Sequence, residues 1–230
     1  VFHAGAAQTY VSSVGTYPIL TYHTVSLNAT ERFFKRLIDI FGSLFGIILS
    51  SPIMLIAAIA IKLDSPGDVI FKQERVGLNG RHFYMFKFRS MCVDAEEKKK
   101  ELMEQNEMES QFMFKMQNDP RITRIGGILR KTSIDELPQF FNVLRGEMSL
   151  VGTRPPTVDE VELYERGHWR RMSIKHGITG MWQVSGRSDI TDFEEVVKLD
   201  MEYVKNWNIG MDIKILFKTV GVVLKGSGSK

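Results

Sequence analysis

The segment that most limits this fold is GSLFGIILSSPIMLIAAIAI, the centre of a run from Ile40 to Ile61 that carries no charge. A helix needs ~20 apolar residues to cross a bilayer, so the run is long enough. Two features argue against a simple crossing. Ser51-Pro52 stands in the middle: proline removes a helix hydrogen bond and crowds the preceding turn, and a serine hydroxyl can satisfy the freed carbonyl. Basic residues also flank both ends, with Arg32, Lys35 and Arg36 before and Lys62, Lys72 and Arg75 after. A spanning helix shows a bias of Lys and Arg to one side. A helix broken at Ser51-Pro52 that returns to the same face explains both features. The alternative is a kinked crossing helix. A buried soluble helix fits less well, because the run is apolar all round.

The rest of the chain predicts an α+β protein, mainly helical, with one small antiparallel hairpin. Residues 1–30 are small, polar and β-leaning, with a short strand at Ile19 to Tyr22. They read as the tail of an upstream domain or a linker. Residues 31–65 read as the re-entrant membrane helix and 66–230 as a domain outside the membrane. Val69 to Gln73 and His82 to Phe88, around Gly77-Leu78-Asn79-Gly80, predict the hairpin. Helices are expected over Asp94 to Met116, Ser133 to Leu144, Val158 to Arg166, Phe193 to Asn206 and Met211 to Leu224, the last amphipathic and interfacial. ITGMWQVSGRS reads as strand or loop. Trp169, Trp182 and Trp207 suit a core, or for Trp207 a membrane interface.

Composition narrows the chemistry. The one cysteine, Cys92, excludes an internal disulfide and suits a reducing compartment. The five histidines lack metal-ligand spacing. A net charge of +3 suits anionic partners without choosing among them. The basic residues are spread over loops with no recognition module, so a nucleic-acid partner is not expected.

The sharpest chemical signal is TSIDELPQFFN, Thr132 to Asn142. Thr132-x-x-Asp135 and Ser133-x-x-Glu136 both match a capping box, so one reading of these carboxylates is a helix start. Pro138, tolerated only in a first turn, agrees. The other reading is a reaction centre. Adjacent helical side chains point about 100° apart, so one carboxylate can attack while the other holds a metal. Arg121, Arg124, Arg130, Lys131, Arg145 and Arg154 lie nearby in sequence. Carboxylates and cations together suit phosphoryl chemistry, with Mg²⁺ neutralising a pyrophosphate and arginines gripping phosphate oxygens.

Six segments in order resemble the bacterial sugar transferases, also called monotopic phosphoglycosyl transferases. They are FKRLIDI, the Ser51-Pro52 break, KFRSM, NDPRITRIG, LRKTSIDELPQFFNVLRGEMSLVGTRPP and GITGMWQVSGRS. The resemblance runs from about Phe33 to the C-terminus. It implies transfer of a sugar 1-phosphate from a UDP-sugar to undecaprenyl phosphate, on the cytoplasmic face of the bacterial inner membrane, with release of UMP. Its dyad maps onto Asp135, as nucleophile, and Glu136, as Mg²⁺ ligand beside Asp135. Arg130 maps onto a phosphate contact and Arg154-Pro155 onto a family Arg-Pro. Lys87, Arg89, Asp119 and Arg121 fall at the active site, and Arg187 on the nucleotide side. The branch it resembles starts exopolysaccharide and capsule repeats, from glucose or galactose. Residues 1–30 resemble the end of the domain that precedes the catalytic part in longer members, which makes the chain a fragment of such a protein. A homo-oligomer is compatible. The chain departs from the pattern at His176, where proline is expected, and at Met181-Trp182. Two rivals stand beside this reading: a single-step transfer without a covalent intermediate, and a non-catalytic membrane scaffold in which the dyad only caps a helix.

Overall fold

The computed structural model describes residues 8–14, 17–23, 28–92, 94–95, 97–98, 119–186, 190 and 192–225. Most of the helix expected over Asp94 to Met116, and Arg187 with it, lies outside the described residues.

Helix α1 spans Ala29–Asp64. Asn28 starts it with a full capping box: its side chain accepts from the Glu31 amide at 2.8 Å, and Glu31 accepts from the Asn28 amide at 2.8 Å. The expected break does not interrupt it, since Pro52 lies inside the helix. The physical reason is local. Pro52 has no N–H for the Ile48 carbonyl, and the Ser51 hydroxyl donates to that carbonyl at 2.9 Å instead.

A 36-residue helix is ~54 Å long, yet both its ends dock on one body. Near the start, Lys35 reaches Val151 and Asp212, and Asp39 accepts from the Ser149 hydroxyl and the Leu150 amide. Mid-helix, Gly46 lies against the Phe140 ring. Near the end, Ala57 and Ile61 pack with Phe88 and Leu129, and Asp64 accepts from the Ile125 amide. The buried positions Lys35, Asp39, Ser43, Ser50, Ala57 and Ile61 form one stripe. The other faces expose Phe41, Phe45, Ile48, Leu49, Leu55 and Ile56, each at least 64% accessible. Among the described residues this is the one helix long and apolar enough to cross a membrane. The flanking Lys35 and Arg36 are taken up by the body, with Arg36 donating to the Val143 and Leu144 carbonyls.

Among the described residues, three two-stranded sheets stand where one was expected. β1 (Gln8–Val14) and β2 (Tyr17–His23) form an antiparallel hairpin where only one short strand was read. β3 (Ile70–Val76) and β4 (His82–Phe88) form the predicted hairpin, the first strand starting one residue later and running three residues past Gln73. β5 (Ser149–Val151) and β6 (Gly177–Thr179) pair in parallel. The helices are α2 (Arg124–Lys131), α3 (Gln139–Arg145), α4 (Val158–Glu162), α5 (Met181–Val184), α6 (Phe193–Asn206) and α7 (Ile209–Lys225). One-turn helices occur at Leu78–Gly80 and Ile134–Glu136, and a longer one at His168–Ser173. MWQV is thus helical, not strand or loop.

The main core joins Phe83 and Met85 of β4 with Val143, Met148, Leu150, Val151, Tyr203, Val204 and Ile215. Trp207 belongs to it: it is buried, and its indole N–H donates to Asp212 at 3.0 Å, so it is a core residue and not an interfacial one.

Candidate active site

The dyad sits in the turn between α2 and α3. The local sequence does not make the expected caps. The Thr132 hydroxyl donates backwards, to the Ile128 and Leu129 carbonyls at 2.8 and 3.2 Å, closing the end of α2. Ser133 adopts φ 56°, ψ 18° and makes no side-chain cap. A non-glycine residue in that left-handed region costs on the order of 1 kcal/mol, and such strain clusters at functional sites. The turn Ile134–Glu136 follows directly. Ile134 packs beside Phe88 and Leu129 in the cluster on the end of α1, which fixes the turn to both helix and hairpin.

This geometry buries Asp135 to 8% exposure and leaves the Glu136 side chain at 20%. Lys87, from β4, points the same way, with Nζ 3.6 Å from Glu136 Oε1. Strand alternation puts Arg75 on the same face of the hairpin, paired with Phe83 as Phe71 is with Lys87. Burial and the neighbouring Arg154 pull the Arg75 guanidinium down to about 10, against the opposing charges of Glu160 and Glu136. Arg75 donates to the Pro155 carbonyl and to Gln73. It is a cation of the dyad's surroundings that sequence reasoning took only as a membrane flank; the alternation with Lys87 was the available signal.

The other predicted residues divide. Arg130 ends α2 with an exposed side chain, and its charge helps hold the Asp119 carboxyl down. Asp119 and Arg121 grip each other, with Arg121 Nη2 2.6 Å and Nε 2.9 Å from the carboxylate. Burial would raise Asp119, but the Arg121 hydrogen bonds and charge win and lower it. Arg121 is itself buried, and its backbone carbonyl receives the Cys92 amide, so the pair organises the loop entering α2. In that helix Gly126 approaches Ser90 so closely that a Cβ would strike the Ser90 carbonyl. Arg89 closes the end of α1, donating to the Ser65 carbonyl and hydroxyl at 2.7 and 2.9 Å. Arg154 forms a two-pronged pair with Glu160, at 2.7 and 2.9 Å. Burial opposes its charge, but Glu160 more than compensates and raises it above the ordinary arginine value. Arg89, Arg121, Arg154 and Arg75 are therefore engaged with protein groups, Arg75 within reach of the Glu136 charge, whereas Lys87 lies 3.6 Å from Glu136 itself.

A polar interior lies behind Arg154. Arg171, 1% exposed, donates to Asp200 at 2.8 Å and to Tyr164 at 2.7 Å. His176 is fully buried. The Thr153 hydroxyl donates to the Arg171 carbonyl, so it accepts from His176 Nδ1 at 2.7 Å. Burial first, then the Arg171 charge, depress that imidazole to about 3. The departure at His176 is thus a neutral interior group remote from any role as acid or base near neutral pH.

The family model for bacterial sugar transferases matches residues 30–226. The chain is 52% identical over 214 residues to the galactosyl transferase CpsE of Streptococcus agalactiae serotype III, covering 93% of this chain and 47% of that protein. It is 39% identical over 227 residues to the UDP-glucose:undecaprenyl-phosphate glucose-1-phosphate transferase of Escherichia coli K12, covering 96% and 46%. It is 39% identical over 198 residues to the exopolysaccharide production protein ExoY of Rhizobium meliloti, covering 85% and 87%. A mainly helical body carrying an acidic turn against a long apolar helix is thus a sugar-transferase body. The chain belongs to the bacterial sugar transferase family, among relatives of exopolysaccharide and capsule synthesis. It spans about half the length of the first two relatives and most of the third.

Proposed function

We propose that the chain is the catalytic unit of a phosphoglycosyl transferase that moves a hexose 1-phosphate from a UDP-sugar to undecaprenyl phosphate and releases UMP. The observation that carries the reading is the buried Asp135 in a turn whose capping partners have turned away, beside a Glu136 faced by Lys87. A scaffold would need the dyad only as a cap, whereas the Ser133 side chain makes no cap here and Lys87 stands 3.6 Å from Glu136. The names of the relatives supply the substrates: UDP-glucose and undecaprenyl phosphate in one, galactosyl transfer in another.

Asp135 is the nucleophile. A carboxylate oxygen attacks the sugar-linked phosphorus, the bond to the UMP oxygen breaks, and UMP leaves with that electron pair. A phosphate oxygen of the lipid then attacks the same phosphorus and expels the carboxylate, giving the diphosphate-linked sugar. Lys87 and Arg75 supply positive charge where the pyrophosphate charge shifts, and Arg130 is the exposed arginine that contacts phosphate. Arg187 is proposed for the nucleotide side.

Asp135 and Glu136 are hard oxygen donors of the kind that hold Mg²⁺ through one or two carboxylates, with substrate phosphates and water completing the shell. No larger group of acidic, His or Cys residues stands among the described residues, so these two would hold it. Bound there it would offset pyrophosphate charge.

In this reading residues 31–65 attach the enzyme to the inner membrane and 66–230 carry the chemistry on its cytoplasmic face. A helix that runs through Pro52 enters and leaves one face only by bending there, and support for that bend comes from its two ends, both tied to the same body, and its exposed apolar sides. The test is UMP release in lipid discs with Mg²⁺, comparing UDP-glucose and UDP-galactose with and without undecaprenyl phosphate. Acceptor-dependent release from one of them is expected. No release from either would contradict the reading.

A further inference from the structure

A cleft of about 650 Å³ lies on the outer side of the β3–β4 hairpin. Directly paired residues share a face of a hairpin. Lys72 pairs with Phe86 and Glu74 with Tyr84, whereas Phe71 pairs with Lys87 and Arg75 with Phe83. The cleft is lined mainly by Lys72, Tyr84 and Phe86 of the face opposite Lys87, with Phe83 of the other face at its edge, and neither Lys87 nor the dyad belongs to its lining. Its far wall is the end of α3 and the loop before β6.

The lining is cationic. Lys72, Arg81, Arg145 and Lys175 all border it, and none has a carboxylate partner among the described residues. Its one acidic member, Glu147, is held by Asn142 at 2.6 Å. Arg145 stacks over Phe86, 4.9 Å from the ring centroid. Gly146 turns the chain at φ 87°, and a Cβ there would lie 3.3 Å from Arg36 and 3.6 Å from Lys175, so both cations crowd the same turn. Burial, then the Arg36 charge, lower the pKa of Lys175. An anion in the cleft would relieve that crowding.

The surroundings say which anion. Phe141, one helical turn before Arg145, is exposed, and so are Phe33 and Phe34 beside Arg36. α3 packs on α1 through Phe140 and Gly46, which brings the helix that carries Arg145 against the helix that exposes an apolar side. Cations at the edge of an apolar surface match the level of lipid phosphates.

We propose that this cleft docks the headgroup of an anionic phospholipid, at a place separate from the site where the acceptor lipid reacts. The inference rests on the membrane reading above. It makes the cleft an anchor that sets the body's orientation and its preference for anionic membrane.

The test is flotation of the full chain with vesicles of phosphatidylcholine alone or with added phosphatidylglycerol, using wild type and Arg145→Gln/Lys175→Gln. Wild type should bind both and prefer the anionic vesicles. The double variant should lose about twenty-five-fold of that preference, fivefold per cation, while binding neutral vesicles as before. Equal wild-type binding to both vesicles, or an undiminished preference in the variant, would overturn the proposal and leave the membrane reading intact. Loss of the wild-type preference on adding soluble UDP would also overturn it, by giving the cleft to the nucleotide. Failure to bind either vesicle would overturn the membrane reading itself.

Discussion

Lys35 Nζ lies 2.6 Å from Asp212 Oδ2, across 177 positions of sequence. Both side chains are almost fully buried. Lys35 also donates to the Val151 carbonyl and the Tyr203 hydroxyl, while Asp212 accepts from Tyr203 and Trp207. The start of the apolar helix is thereby registered on α7 and β5.

Breaking such a pair strands a buried charge, at a cost of about 3–5 kcal/mol. Asp212→Ala should lower unfolding stability in detergent by that amount. Lys35→Met/Asp212→Leu should recover much of it, since neither charge is then left alone. Urea titrations of the three proteins check this.

Lys87 should behave differently. Its pair with Glu136 is long and partly exposed, worth at most about 1 kcal/mol to the fold. Removing a positive group aimed at developing phosphate charge costs on the order of 10²-fold in turnover. Lys87→Met is therefore expected to keep its melting temperature and lose about that much kcat.

Arg154→Lys should fail despite keeping its charge. A lysine cannot reproduce the planar fork on Glu160. Arg154→Lys and Glu160→Gln should lower the melting temperature to similar extents, and the double variant should lose less than the sum. A mutant cycle measures the coupling.

His176 gives a pH dependence of known sign. Its ordinary value near 6.5 falls to about 3 in the fold, so the unfolded chain takes the proton first. The stabilisation is complete above about pH 6.5 and is lost as pH falls toward 3, by up to about 1.4 kcal/mol per unit. Replacing His176 with Asn should flatten that part of the stability curve between pH 7 and 5, as thermal melts would read.

What the sequence showed was local. Phe193 to Asn206 matches α6 end for end, because Asp192 caps it and its buried residues recur at helical spacing. The β3–β4 hairpin and the serine that rescues the Pro52 gap were legible for the same reason. Partners distant in the chain were not. Nothing near Lys35 announces Asp212, so it read as a basic flank of the apolar run. A run of cations likewise does not say which of them hold carboxylates, as Arg154 holds Glu160 and Arg121 holds Asp119. The caps at Thr132 and Ser133 failed because α2 ends in a left-handed turn that takes their side chains elsewhere.

The most direct measurement is the intact mass of the purified protein in lipid discs with Mg²⁺ and each UDP-hexose, without acceptor. A hexose phosphate should appear on the wild type, be absent from Asp135→Asn and be discharged by undecaprenyl phosphate. An unmodified protein that still makes product when the acceptor is added would contradict the covalent role of Asp135 and favour a single-step transfer.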